Sequence, residues 1–192
     1  MADEVIAQDS SAKFKPHPEG QFVAQCVDVI DLGKRVESYP GKSKRIVPKV
    51  AVLFRTGSLG EDGQPIDIGA EFTVSMNEKA GLRAFLESWR GKSYNDETAQ
   101  AGVPLHKLVG NYALISVEHK KAASGRTYGK IKSTTPVPFG LAKTDVQGGY
   151  LRADYWEERK KNYLAETAQF MQENVAPSHE GEAIPKDDDL PF

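Results

Sequence analysis

Cysteine is almost missing from these 192 residues: Cys26 has no second thiol to pair with, which excludes an intrachain disulfide and any paired-cysteine zinc site. Long apolar runs are missing too. Nothing approaches the about 18 consecutive apolar residues of a membrane span, and Met1-Ala2-Asp3-Glu4 lacks the basic flank and apolar stretch of a secretory signal. A soluble cytoplasmic protein is expected, with no membrane partner. The four histidines, His17, His106, His119 and His179, are scattered without ligand spacing. Gly33-Lys34 lacks the glycine-rich frame of a phosphate loop, and Gly57, Gly60 and Gly63 are not followed by Lys-Ser/Thr. The acidic pairs Glu61-Asp62 and Glu157-Glu158 fall in a turn and on a solvated helix, where such pairs are common. An enzyme is therefore not expected: no catalytic residue, metal or cofactor emerges.

What is present is a segregation of charge that the net value of -2 conceals. Residues 1–12 carry 3 acidic side chains and no basic one; residues 13–134 carry 19 basic and 13 acidic; residues 135–192 carry 6 basic and 11 acidic. A basic body with an acidic tail is the electrostatic pattern of a chain whose body meets a polyanion, although a solvated surface alone can reach this excess.

The hydrophobic pattern divides the chain. Residues 1–12 are polar and aperiodic and are expected to be disordered, with order beginning near Phe14. After the turn signal Pro16-His17-Pro18-Glu19-Gly20, the stretch Gln21 to Leu32 predicts a strand closed by Gly33, and Lys34 to Arg45 a basic loop. A second strand, about Val47 to Arg55, alternates Val50, Val52 and Phe54 with Lys49, Ala51, Leu53 and Arg55. A third runs about Ala70 to Met76. Asn77 then caps a helix whose Leu82, Phe85, Leu86 and Trp89 have helical spacing, with Gly91 as its stop. Cys26 and Trp89 are expected in the core. Strands from Tyr112 to Glu118 and from Thr127 to Ser133 follow, joined by a turn with Ser124-Gly125.

Three strands, a helix and two strands is the order of an OB-fold, a five-stranded barrel, here over residues 13–140; other five-stranded barrels or an α+β sandwich share it. Beyond Gly148-Gly149, a helix over about 150–175 places Trp156, Tyr163 and Phe170 seven residues apart. Docking of that stripe on the barrel is preferred to pairing with a second protomer. Residues 176–186 form an acidic linker.

Single-strand binding without sequence preference needs aromatic faces for unpaired bases and cations along the backbone path. The fifth strand puts Tyr128, Lys130 and Lys132 on one face, and the fourth offers Tyr112, which a core position would suit as well. Lys34, Arg35, Tyr39, Lys42, Lys44 and Arg45 lie between strands one and two, and Lys120, Lys121 and Arg126 between strands four and five. Those two loops flank the binding face of an OB-fold. Lys49 and Arg55 of the second strand complete the candidate DNA-binding set. Each lysine taken alone reads as well as a solubilising surface charge.

The last six residues, Asp187-Asp188-Asp189-Leu190-Pro191-Phe192, join three carboxylates to an extended apolar tip. A solvated acidic end is the simple reading; the order acid, Leu, Pro, terminal Phe favours a tip that slots into a partner's basic-rimmed pocket. This tip closely resembles the C-terminal tip of bacterial and phage single-stranded DNA-binding proteins. The start Phe14-Lys15-Pro16-His17-Pro18-Glu19-Gly20, the strand end Asp31-Leu32-Gly33, the helix Leu82 to Lys92 and Leu108-Val109-Gly110 resemble phage-encoded OB-fold members of that class. The resemblance implies a protein that coats single strands in phage DNA replication, recombination and repair, acting in the host cytoplasm. It also implies recruitment of replication and recombination proteins through the tip. The body does not resemble the cellular bacterial proteins, so their tetrameric assembly is not carried over, and self-association stays open. The rival readings are an OB-fold protein-interaction or recombination-mediator module and an accessory subunit of a nuclease or polymerase.

Overall fold

β1 (Gly20–Glu37) is long enough to serve two neighbours. Its first third pairs antiparallel with β4 (Tyr112–Lys121) and the rest with β2 (Arg45–Leu59), while irregularities at Cys26/Asp28 and Asp31/Gly33 let the strand bend between them. β3 (Pro65–Thr73) and β5 (Thr127–Thr135) complete an antiparallel sheet of order β3-β2-β1-β4-β5, with β3 and β5 as its edges. This computed structural model describes residues 16–38, 41, 43–60, 63, 65–143 and 153–174. The expected N-terminal disorder over 1–12, Phe14, the linker and the acidic tip lie outside them.

The chain extends β1 past the expected stop. Gly33 takes φ 75 at the second irregularity and its N–H donates to the Asp31 carboxylate at 2.8 Å, so a glycine that reads as a terminator acts as a bulge. Lys34 and Arg35 are consequently strand residues, which corrects their expected place in a loop. β3 also starts earlier than expected, because Phe54, Val52 and Val50 of β2 pair across with Ile68, Ala70 and Phe72. These six residues line one face. The core there also takes Ala24, Cys26, Ala113, Ile115, Val117 and Ile131 from the other strands.

α1 (Gly81–Arg90) covers that core with Leu82, Leu86 and Trp89 buried and Phe85 packed beside them. Phe54 and Trp89 lie 5.1 Å apart by ring centroids, and the Trp89 indole donates to the Tyr112 carbonyl at 2.8 Å. Truncating Trp89 to alanine would cost about 3–5 kcal/mol. Gly91 ends the helix in the left-handed conformation, as its sequence position suggests. The start is different: the Asn77 carbonyl and side chain cap a turn, accepting from Ala80 and Lys79, and the helix begins three residues later at the Ala80 cap. The connector after α1 holds a short helix α2 (Asp96–Ala101) and a 3-10 turn, Leu105–Leu108, neither evident from periodicity.

β3 and β5 approach one another without a hydrogen-bonded ladder. α1 spans their gap at one end, where Ser88 donates to the Thr134 carbonyl and Thr134 to the Phe85 carbonyl. The segment before β1 spans the other end. There His17 is buried, its Nε2 shares a hydrogen bond with Thr56 of β2 at 2.7 Å, and its carbonyl is within 2.9 Å of the His119 ring. Gly129 of β5 leaves room for it, since an added Cβ would sit 3.2 Å from the His17 Cβ. Among the described residues, no helix is long and apolar enough to cross a membrane.

The opposite face of β1 and β2 carries a second core. α3 (Ala153–Asn174) docks there, with Tyr163 joining Leu32, Ala51 and Leu53 and with Trp156 packed against them. Trp156 and Tyr163 of the aromatic stripe thus pack on the sheet. Gly69 of β3 makes this possible, because a Cβ there would lie 2.6 Å from both Leu53 and the Trp156 ring.

Candidate nucleic-acid interface

β5 exposes Tyr128, Lys130 and Lys132 at alternate positions and turns Ile131 into the core. Successive exposed residues are about 6.8 Å apart along such a strand. Tyr128 stands opposite Lys120 in the β4 ladder and Lys130 opposite Glu118. Arg126 and Lys121 are exposed where the turn closes, a turn held by the Ala122 N–H to the Arg126 carbonyl at 2.8 Å. Six of the candidate DNA-binding residues, Lys120, Lys121, Arg126, Tyr128, Lys130 and Lys132, therefore share one edge of the sheet. Glu118 tempers their charge. It lies 3.0 Å from Lys120 and 3.9 Å from Lys132, and the hydrogen bond from Lys120 holds its carboxyl below the usual carboxylate range.

The other candidates are elsewhere. Tyr112 is half-buried at the start of β4 beside Gln25, with the Lys143 ammonium 5.9 Å from its ring centroid. Eight strand positions separate it from Lys120, roughly 27 Å, so it is not part of the Tyr128 cluster. Lys49 is buried against Glu37, with the Thr73 hydroxyl at 3.0 Å, and Arg55 is buried with both its Nε and an Nη donating to Asp67 at 2.7 and 2.9 Å. These two cations look outward from the sheet, as their alternation suggests, but they flank the second core and are engaged within the chain. They leave the interface set.

Arg35 is drawn under α3. Its guanidinium lies 4.9 Å over the Tyr163 ring and within 4.0 Å of Glu71 and 3.9 Å of Glu166. Glu71 also accepts from Arg159 and from the Tyr163 hydroxyl, each at 2.7 Å; burial and that bond push the Tyr163 phenol up to about 12. Lys34 is exposed, and its carbonyl accepts from Thr167. Lys44 is exposed with its ammonium 5.9 Å from the Phe170 ring, and Arg45 is exposed at the start of β2. Tyr39 and Lys42 lie outside the described residues. The cations around the β1–β2 turn thus border the C-terminal half of α3, whereas Trp156 near its N-terminus lies beside the β3–β5 gap. Fourteen helical residues separate Trp156 from Phe170, about 21 Å, so the two basic groups do not form one patch.

A cleft of about 310 Å³ opens between the two edge strands, lined by Ile66, Ile68, Arg126, Tyr128, Tyr155 and Trp156, with His17 and Asp67 also on its wall. A second of about 460 Å³ continues from Tyr128 along Lys130 and Lys132 toward Phe72 and Phe85. Tyr128 borders both. The sequence points to Tyr155 and His17 only indirectly, as a neighbour of the Trp156 stripe and as part of a Pro-rich turn. Burial holds the His17 imidazole below its ordinary pKa, and its Nδ1–H donates to the Pro18 carbonyl at 2.9 Å. Cys26 is buried and its thiol is pushed up to about 12 by desolvation, which leaves it without thiolate chemistry. Among the described residues, no group of three or more His, Cys, Asp or Glu is placed to hold a metal. Comparison by sequence finds no matching family model and no matching curated protein.

Proposed function

We propose that this chain is a sequence-tolerant single-stranded DNA-binding protein built on an OB-type barrel, and that it serves phage DNA replication, recombination and repair. One observation carries the reading: an exposed aromatic ring at Tyr128 in line with Lys130 and Lys132 on an edge strand, with Lys120, Lys121 and Arg126 at its end. Stacking on a ring is tolerant of base identity, and cations at strand spacing follow a phosphate backbone. The order of elements, with α1 after β3 at one end of the gap between β3 and β5, supports the barrel assignment. The acidic tip Asp187 to Phe192 would recruit replication and recombination proteins, and in the absence of DNA it would compete for the basic edge.

The test is competition binding. A dT oligonucleotide should bind at low salt and be displaced poorly by duplex of equal length; a preference for duplex, or no binding at low salt, overturns the proposal. Removal of Phe192 should spare DNA affinity while abolishing capture of partner proteins.

A second reading, a protein-interaction or recombination-mediator module, draws on the position of α3. The helix lies across β1, β2 and β3, and strands 2 and 3 are the surface with which OB-folds hold nucleic acid. On this reading α3, not an oligonucleotide, is the permanent occupant of that face, and the same competition experiment separates the two.

A further inference from the structure

The cleft beside Tyr128 is made by residues that the strand pattern alone does not bring together. Gly69 on β3 admits the Trp156 ring, Gly129 on β5 admits His17, and both glycines border the cavity. Tyr155 projects next to Trp156, the rings 5.0 Å apart and 81° from parallel. Tyr155 and Tyr128 are 43% and 41% exposed, so aromatic surface flanks the opening from the helix side and from the strand side. Arg126 stands at the rim.

Two polar side chains of the wall are engaged internally. His17 is satisfied by Pro18 and Thr56, and Asp67 by Arg55. The wall thus offers ring faces and aliphatic surface, with His17 and Asp67 already paired within the chain, which suits a base held by stacking.

We infer that Tyr155 and Trp156 of α3 form, with Tyr128, a seat for one unpaired base of a bound single strand, so that the C-terminal helix is part of the DNA-binding site. The inference rests on the single-strand-binding reading above and adds to it. Cationic Arg126, Lys130 and Lys132 beside the cleft match a polyanionic ligand, and the volume of about 310 Å³ is at the small-ligand scale.

The chain has two tryptophans, and Trp89 is buried under α1. Full-length protein carrying Trp89→Phe therefore reports from Trp156 alone. Titration with a dT oligonucleotide should quench this emission in step with the anisotropy of a labelled strand. Tyr155→Ala should weaken binding about five- to 150-fold without changing its salt dependence, as loss of one stacking partner requires. If Trp89→Phe does not fold, Trp156→Phe in the natural background provides the same reading: quenching seen with the unsubstituted protein should vanish. Anisotropy that reports binding while Trp156 emission and the Tyr155→Ala affinity stay unchanged would overturn the seat and leave single-strand binding standing. No anisotropy change at low salt would overturn both. Quenching by a peptide of residues 187–192 when bound dT produces none would assign the cleft to the tip and overturn the proposal.

Discussion

Replacing Glu37 by alanine tests the reassignment of Lys49 from DNA contact to structural cation. Lys49 is 7% exposed and its ammonium is held by Glu37 and the Thr73 hydroxyl. Breaking a buried pair by removing one partner costs about 3–5 kcal/mol because the other charge stays desolvated. Both side chains retain some accessibility, 9% for Lys49 and 13% for Glu37, which places the expected loss near the lower bound, about 3 kcal/mol. With a urea slope of about 2 kcal/mol/M, the midpoint should fall by about 1.5 M. The paired replacement Glu37→Leu with Lys49→Met should recover most of this, since neither charge is then buried. Lys49→Met alone should leave oligonucleotide affinity within about twofold, as no phosphate contact is lost. A midpoint shift below about 0.3 M, together with a clear drop in affinity for Lys49→Met, would rule out a structural role and return Lys49 to the interface.

Other perturbations probe other parts of the account. Glu118→Gln should strengthen binding of dT a few-fold and steepen its salt dependence, because it releases Lys120 and Lys132 from a competing carboxylate; anisotropy titration at two salt concentrations checks it. Burial holds the His17 imidazole below its ordinary value of 6.5 in the fold, so the unfolded chain takes up a proton more readily, and this residue's contribution is complete above 6.5 and is lost as pH falls. Unfolding free energies from urea titration at pH 7.5 and 5.5 should differ less for His17→Gln than for the natural chain, by up to about 1.4 kcal/mol per unit of pH. Gly91→Ala should cost more than about 1 kcal/mol in the same assay, since Gly91 has φ 65 and an added Cβ would meet Pro136 at 2.8 Å. Cys26 should resist a thiol reagent in the folded protein and react fully in denaturant.

The alternation in β2 was readable because each face has a distinct chemistry: Val50, Val52 and Phe54 against Lys49, Ala51, Leu53 and Arg55. What the alternation could not show is that α3 covers the second face, since a residue directed away from the first core looks solvated until a distant segment packs on it. Ala51 and Leu53 in the middle of that face were the available sign. Gly33 misled for a different reason: a glycine that ends a strand and one that supplies a bulge look alike in sequence, and only the pairing of Lys34 to Glu37 with Arg45 to Pro48 distinguishes them. The β5 cluster was legible because it is local, with Tyr128, Lys130 and Lys132 fixed by strand period alone. The cleft was not, because it joins β3, β5, α3 and the residues before β1, and its volume depends on two glycines, Gly69 and Gly129, whose role is to admit side chains from elsewhere.

The salt dependence of oligonucleotide affinity tests single-strand binding most directly. Five cations, Lys120, Lys121, Arg126, Lys130 and Lys132, border the β5 edge, and Glu118 holds two of them in part. Three to five neutralised phosphates predict a slope of log affinity against log salt of about -2 to -3.5 for a single strand. Anisotropy titration of labelled dT across a range of salt should give that value, with tighter binding to dT than to duplex. A slope near zero, or equal affinity for duplex, would contradict it.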